Sequence, residues 1–108
     1  MDYFRVADLP AVEMLPGLVR RAVWLDRVML TFFTFEPHTV IPAHEHPHEQ
    51  ITYVVQGALE FTLGDETRRL NAGEGVCIPS GVRHGARTLD QPTVALDAWH
   101  PVREDYQV

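Results

Sequence analysis

Turn-forming residues interrupt this chain about every 6–12 residues, too often for helices and at the right interval for short strands. Pro16-Gly17, Asp26-Arg27, Glu36-Pro37-His38, Gly57, Gly64-Asp65, Asn71-Ala-Gly-Glu-Gly75, Pro79-Ser-Gly81 and Asp90-Gln-Pro92 mark the breaks. Between them lie runs rich in β-branched and aromatic residues: Leu18–Leu25, Val28–Phe35, Thr39–His44, Gln50–Gln56, Ala58–Leu63, Thr67–Leu70, Val76–Ile78, Gly85–Leu89 and Thr93–Trp99. Leu59, Phe61 and Leu63 alternate with Glu60 and Thr62, the period of a strand with one buried face. The expectation is an all-β sandwich or barrel that closes its edges. Residues 1–16 allow two readings, because Ala7–Leu15 fits either a short helix or an extended arm broken at Pro10.

A chain of 108 residues, 45% of them hydrophobic, suffices for one core and hence one domain over 1–108. Its core spans about 18–100, with an N-terminal arm over 1–17. The net charge of -6 argues against a nucleic-acid partner, since phosphate binding needs basic patches. It leaves room for a small anionic ligand, which needs only a local cation. All nine basic residues are arginine, which excludes lysine Schiff-base chemistry and favours bidentate carboxylate binding. No apolar run reaches the roughly 20 residues of a membrane span, and the N-terminus lacks the pattern of a signal peptide. The lone Cys77 rules out an intramolecular disulfide, so a reducing cytoplasm is the expected location. Flanked by Val76 and Ile78, Cys77 reads as a small buried hydrophobe.

Four of the six histidines fall between residues 38 and 48. Alternate strand residues share a face with Cα atoms roughly 6.6 Å apart, so His44 and His46 can converge on one metal ion at about 2.1 Å per nitrogen. A second face of Gln50–Gln56 is also apolar, with Ile51, Tyr53 and Val55 opposite Thr52 and Val54. A strand apolar on both sides points to a partner on the outside, here a homodimer through sheet faces.

The spacing His44-x-His46-x3-Gln50-x6-Gly57 resembles the first motif of the cupins, and Gly73-x5-Pro79-x-Gly81-x2-His84 resembles the second. The two motifs span residues 38–88. The resemblance implies a single-domain cupin, a double-stranded β-helix or jelly-roll barrel. It also implies a divalent transition metal (Zn, Ni, Fe, Mn or Cu) held by His44, His46, Gln50 and His84. Three departures are evident: His38 stands where the first motif usually has glycine, Gln50 where it has glutamate, and Thr88 where the second motif ends in asparagine. The middle one changes the chemistry, because three imidazoles and an amide leave a divalent ion's +2 charge uncompensated. His48 is the alternative fourth ligand, and Pro47 breaks the strand parity that would decide between the two.

A further likeness extends past the motifs. Glu49-Gln50-Ile-x-Tyr53-Val-Val-x-Gly57, together with Leu96-Asp97-x-Trp99-x-Pro101-x-Arg103-Glu104-Asp105-Tyr106, is similar to the pectin-degradation cupins of the KdgF type, which ketonise 4,5-unsaturated uronates. This implies a small anionic sugar-like substrate with Asp97, Trp99 and Arg103 as catalytic residues. Asp97, between Leu96 and Ala98, would be general base or acid. Trp99 would be a sugar-stacking platform or simply core. Arg103 would grip the substrate carboxylate or pair with Glu104 or Asp105. A cupin dioxygenase and a non-catalytic binding or sensing cupin are the alternatives.

Overall fold

The structure is a computed structural model that describes residues 3–107. Ten strands follow in order: β1 (Val12–Leu15), β2 (Leu18–Trp24), β3 (Met29–Phe35), β4 (Val40–His44), β5 (Glu49–Gln56), β6 (Ala58–Leu63), β7 (Glu66–Asn71), β8 (Gly75–Ile78), β9 (His84–Thr88) and β10 (Thr93–His100). They form two antiparallel sheets, six-stranded β1-β2-β3-β10-β5-β8 and four-stranded β4-β9-β6-β7. This is the jelly-roll barrel that the turn spacing and the motif resemblance lead one to expect.

The residues between 3 and 17 resolve the open choice at the N-terminus. Val6–Asp8 forms one 3-10 turn, and β1 then runs extended and pairs with β2, so the arm adds a strand to the larger sheet. Alternation sets the core. Leu18 of β2, Phe33 and Phe35 of β3, Val54 of β5 and Ala95 of β10 point inward. Leu59, Phe61 and Leu70 meet them from the smaller sheet. The chain changes sheets at Gly57, whose φ of 83° is left-handed and whose missing Cβ would lie 2.5 Å from the Pro92 carbonyl oxygen.

Two departures from the motif pattern have structural explanations. His38, in the glycine position, has a φ of 58°, a conformation glycine adopts without strain and histidine does not. Thr88, in the asparagine position, is buried; its hydroxyl accepts from the Thr39 amide at 2.8 Å and donates to the Glu36 carbonyl at 2.7 Å. It ties the end of β9 to the loop before β4.

Cys77 corrects the sequence reading: it is exposed. β8 lies at the edge of its sheet, and Ile78 turns inward beside Gln50 while Cys77 pairs with Ile51 on the outer face. Apolar neighbours in sequence do not bury a residue when the strand alternates. The outward side of β5 is as apolar as its sequence indicates, with Ile51, Tyr53 and Val55 about half exposed.

Register positions the site. β10 is sandwiched between β3 and β5, so Asp97 lies between Thr31 and Thr52, and Trp99 between Met29 and Gln50. Across the other sheet, β4 and β9 pair so that His44 faces His84. The amide of Gly81 donates to the His46 carbonyl at 2.9 Å, fixing the loop that carries His46 against the start of β9.

Candidate metal centre

His44, His46 and His84 converge from β4, the β4–β5 loop and β9, each offering a nitrogen within 4.8 Å of the other two. Ring centroids are 4.4 Å apart for His44–His84 and 4.8 Å for His46–His84. Phe61 stacks parallel to the His84 ring at 6.1 Å. In every one of the three, Nδ1 faces a backbone carbonyl: Pro42 for His44 at 2.9 Å, His48 for His46 at 3.1 Å, and Val82 for His84 at 2.8 Å. A carbonyl only accepts, so each Nδ1 is the protonated donor and each Nε2 of the neutral ring carries a lone pair. His84 Nε2 is buried with no hydrogen-bond partner. Burial is the main cause that lowers the pKa of both His46 and His84, and the Arg103 charge acts in the same direction. His46 and His84 are thereby held in the form that binds a cation.

Gln50 stands beside the three histidines. Its amide nitrogen donates to Thr52 Oγ1 at 2.9 Å and to Asp97 Oδ2 at 3.3 Å, which turns its Oε1 toward His46 Nε2 at 3.1 Å. With Nδ1 of His46 committed to the His48 carbonyl, this last contact sets acceptor against acceptor. Such a pair repels unless a cation stands between, and 3.1 Å suits two ligands each about 2.1 Å from one ion. The residues therefore fit a divalent metal. His48 does not join them: its backbone carbonyl orients His46, while its ring packs on Trp99 at 6.3 Å.

Asp97 is only 6% exposed and faces the same interior. Burial pushes its carboxyl up to about 7, with a hydrogen bond from Thr52 and the charge of Arg103 pulling it partway back. Oδ1 has no partner. Trp99 is buried, its indole N–H donating to Thr31 Oγ1 at 2.9 Å, with its ring 5.3 Å from His46 and 5.6 Å from Tyr106. Arg103 lies over both the Trp99 and Tyr106 rings, at 5.0 and 4.0 Å. Its Nε and Nη2 donate to Asp105 at 3.3 and 2.9 Å, so of the two tail acids considered as partners Asp105 is the one it binds. A cavity of about 100 Å³ is bordered by His44, Gln50, His84, Asp97, Trp99 and Tyr106 on its polar side. Of the site residues expected from sequence, His44, Gln50, His84, Asp97 and Trp99 border this one cavity, His46 belongs to the histidine cluster and Arg103 lies on the Trp99 ring.

Sequence reasoning missed Thr52 and Thr31, which flank Asp97, and Arg20, which sits inside the barrel against Tyr106. Each lies on the inward parity of its strand, the one signal by which it could have been found.

The family model described as a cupin domain matches residues 31–99. The pectin degradation protein KdgF of Dickeya dadantii (strain 3937) is 29% identical over 106 residues, covering 96% of each chain. The structure of KdgF from Halomonas sp. superimposes with a TM-score of 0.91 at 33% identity, over 97% of each chain. The dimethylsulfoniopropionate lyase DddQ of Ruegeria pomeroyi (strain ATCC 700808 / DSM 15171 / DSS-3) is 44% identical, but over 54% of this chain and 29% of its own. Geometry and kinship agree, and the chain belongs to the cupin family, resembling KdgF along nearly its whole length.

Proposed function

We propose that this protein is a metal-dependent enzyme that opens and ketonises 4,5-unsaturated uronate sugars. The observation that carries the proposal is the contact of Gln50 with Asp97: one amide presents its oxygen to the histidine cluster and its nitrogen to a buried carboxyl. A proton-transfer group is thereby fixed next to the metal-binding nitrogens. The near-complete alignment with KdgF, a pectin degradation protein, supports a small pectin-derived sugar as the substrate.

When bound, the metal supplies a Lewis acid that polarises a substrate oxygen. The chain's own residues do the rest. Asp97, as carboxylate, takes the proton of the anomeric hydroxyl while the bond from C1 to the ring oxygen breaks. This leaves an aldehyde at C1 and an enolate at C5. The same proton is returned at C4 as the enolate becomes a ketone, so the sequence is an isomerisation and Asp97 ends as it began. A carboxyl near 7 populates both forms needed for that exchange at neutral pH. Arg103 binds the substrate carboxylate in exchange for Asp105, and Trp99 offers its ring to the sugar. The absence of a carboxylate ligand and the presence of Asp97 favour this reading over oxygen chemistry.

The test follows loss of the unsaturated-uronate absorbance with metal-loaded and chelator-treated protein. Acceleration over the spontaneous rate that disappears with the chelator is expected; no acceleration by a metal-loaded sample would overturn the assignment. Two further readings go with it. The exposed outer residues Ile51, Tyr53 and Val55 support a homodimer through that sheet face, for which light scattering should report twice the monomer mass and Tyr53→Glu should halve it. The exposed, unpaired Cys77 supports a cytoplasmic location.

A further inference from the structure

Arg20 is the one arginine whose residue is buried, at 4% exposure. It stands on the inward parity of β2, between Leu18 and Ala22, where an aliphatic side chain would pack without penalty. Its partners are poor. Nη1 donates to the thioether of Met14 at 3.0 Å, the guanidinium lies on the Tyr106 ring at 4.3 Å, and Nε–H is buried with no acceptor. Among the described residues no carboxylate forms an ion pair with it. A guanidinium does not escape by losing its proton, and a buried charge without a counter-ion is strongly destabilising. Such a group is retained where something outside the fold supplies the anion.

Its surroundings indicate what that is. Arg20 does not itself border the cavity of the metal centre, but Met14 and Tyr106, which its guanidinium meets, both do. The ring of Tyr106 also carries Arg103, whose fork is filled by Asp105. Two cations therefore gather at Tyr106, and the Nε–H of Arg20 is buried there without an acceptor. We propose that Arg20 is a carboxylate-recognition residue of this site, its Nε–H receiving the carboxylate of the sugar acid whose other oxygens face the metal end. The assignment rests on the uronate reading for the identity of the sugar, but not for the charge that is recognised. It makes Arg20 a residue that discriminates acids from neutral sugars, together with Arg103, whose Nε and Nη2 are engaged by Asp105.

The experiment is calorimetric titration of zinc-loaded protein with D-galacturonate and with its uncharged methyl ester. Arg20→Met should weaken galacturonate binding by about tenfold or more, the scale of one charge-assisted hydrogen bond, and leave binding of the ester within about twofold. Arg20→Lys, which keeps the charge and loses the fork, should fall between. A purely structural arginine would not change the ratio of acid to ester. Because Arg20→Met alters the interior, a second readout uses the unaltered protein. The ¹⁵N resonance of Arg20 Nε–H, assigned through Arg20→Lys, should move on adding galacturonate and stay on adding the ester. Equal discrimination by Arg20→Met and wild type, an unmoved Nε–H signal at saturation, or no galacturonate binding by wild type would each overturn the proposal. The outcome is separable from that of the ketonisation reading. Lost discrimination in a protein that does not turn over unsaturated uronate keeps Arg20 and removes ketonisation; unaltered discrimination in a protein that does turn it over has the reverse meaning.

Discussion

Replacing Gln50 by glutamate restores the ligand usual in cupins, and the geometry indicates that here it should destroy activity. The Gln50 amide nitrogen lies 3.3 Å from Asp97 Oδ2. A carboxylate at that site sets two negative charges at this separation, a repulsion of about 5 kcal/mol at an effective dielectric constant near 20. At 1.36 kcal/mol per unit, that raises the proton affinity of the pair by about three to four pK units, less whatever a bound cation offsets. Burial already holds the Asp97 carboxyl at about 7, so Gln50→Glu should keep Asp97 protonated throughout the neutral range. The metal should still bind, since a carboxylate is at least as good a ligand as an amide. The expected result is one equivalent of metal per chain, a kcat lowered by about a hundredfold or more, and a ¹³C carboxyl signal of Asp97 that does not titrate near neutrality. A metal-loaded Gln50→Glu protein with wild-type kcat would refute the view that the neutral amide keeps Asp97 available for proton transfer.

Other perturbations test separate parts of the fold and site. His38→Gly relieves a left-handed φ of 58° at the loss of one exposed contact with Asp90. It should stabilise by about 1 kcal/mol, raising Tm by about 5 °C; a lower Tm would show that the conformation is not strained. Trp99→Phe removes the only N–H among the described residues that is directed at the buried Thr31 hydroxyl and should cost about 1–3 kcal/mol. Chemical denaturation should show part of that loss recovered by adding Thr31→Val, and no recovery would mean the hydrogen bond is not the cause. In metal-stripped protein, Asp97 has a folded pKa raised from 3.8 to about 7. Its contribution to stability is fully present below about pH 4 and is lost as pH rises through 7, by about 4 kcal/mol at most. Wild type measured against Asp97→Asn should therefore lose relative stability over that window. The lowered pKa values of His46 and His84 occur in both proteins and cancel in the difference. A constant difference would remove Asp97 as a titrating group.

The fold was legible wherever the information is local. Alternation in Leu59, Phe61 and Leu63, and the glycine and proline breaks, place most strand ends within a residue or two of where they occur. What failed depends on neighbours far along the chain. Cys77 looks buried between Val76 and Ile78, yet whether its face of β8 meets core or solvent depends on β5 being the last strand before an edge. The arm before residue 18 looked ambiguous because β1 is extended only by virtue of its pairing with β2. His38 is the converse case: it stands at the motif's glycine position and is the one non-glycine residue with positive φ among those described.

His44 and His46 were legible as a pair from their spacing, while His84 and Gln50 came only through the motif resemblance, and the fold brings the three histidines within reach of one ion. The state of Asp97 was not legible. Alternation shows only that it shares a face with Ala95 and Trp99. That both cross-strand neighbours are threonines, and that an amide from β5 reaches it, follows from the registers of β3 and β5 against β10. An aspartate ringed by arginines would be a fixed anion. One buried among hydroxyls and an amide, with Arg103 engaged by its own Asp105, is instead balanced near neutrality. The same accounting isolates Arg20: Asp97 is raised toward its neutral form and Asp105 is bound by Arg103, so Arg20 is left as a buried charge with no carboxylate paired to it. An anionic ligand is what that charge selects.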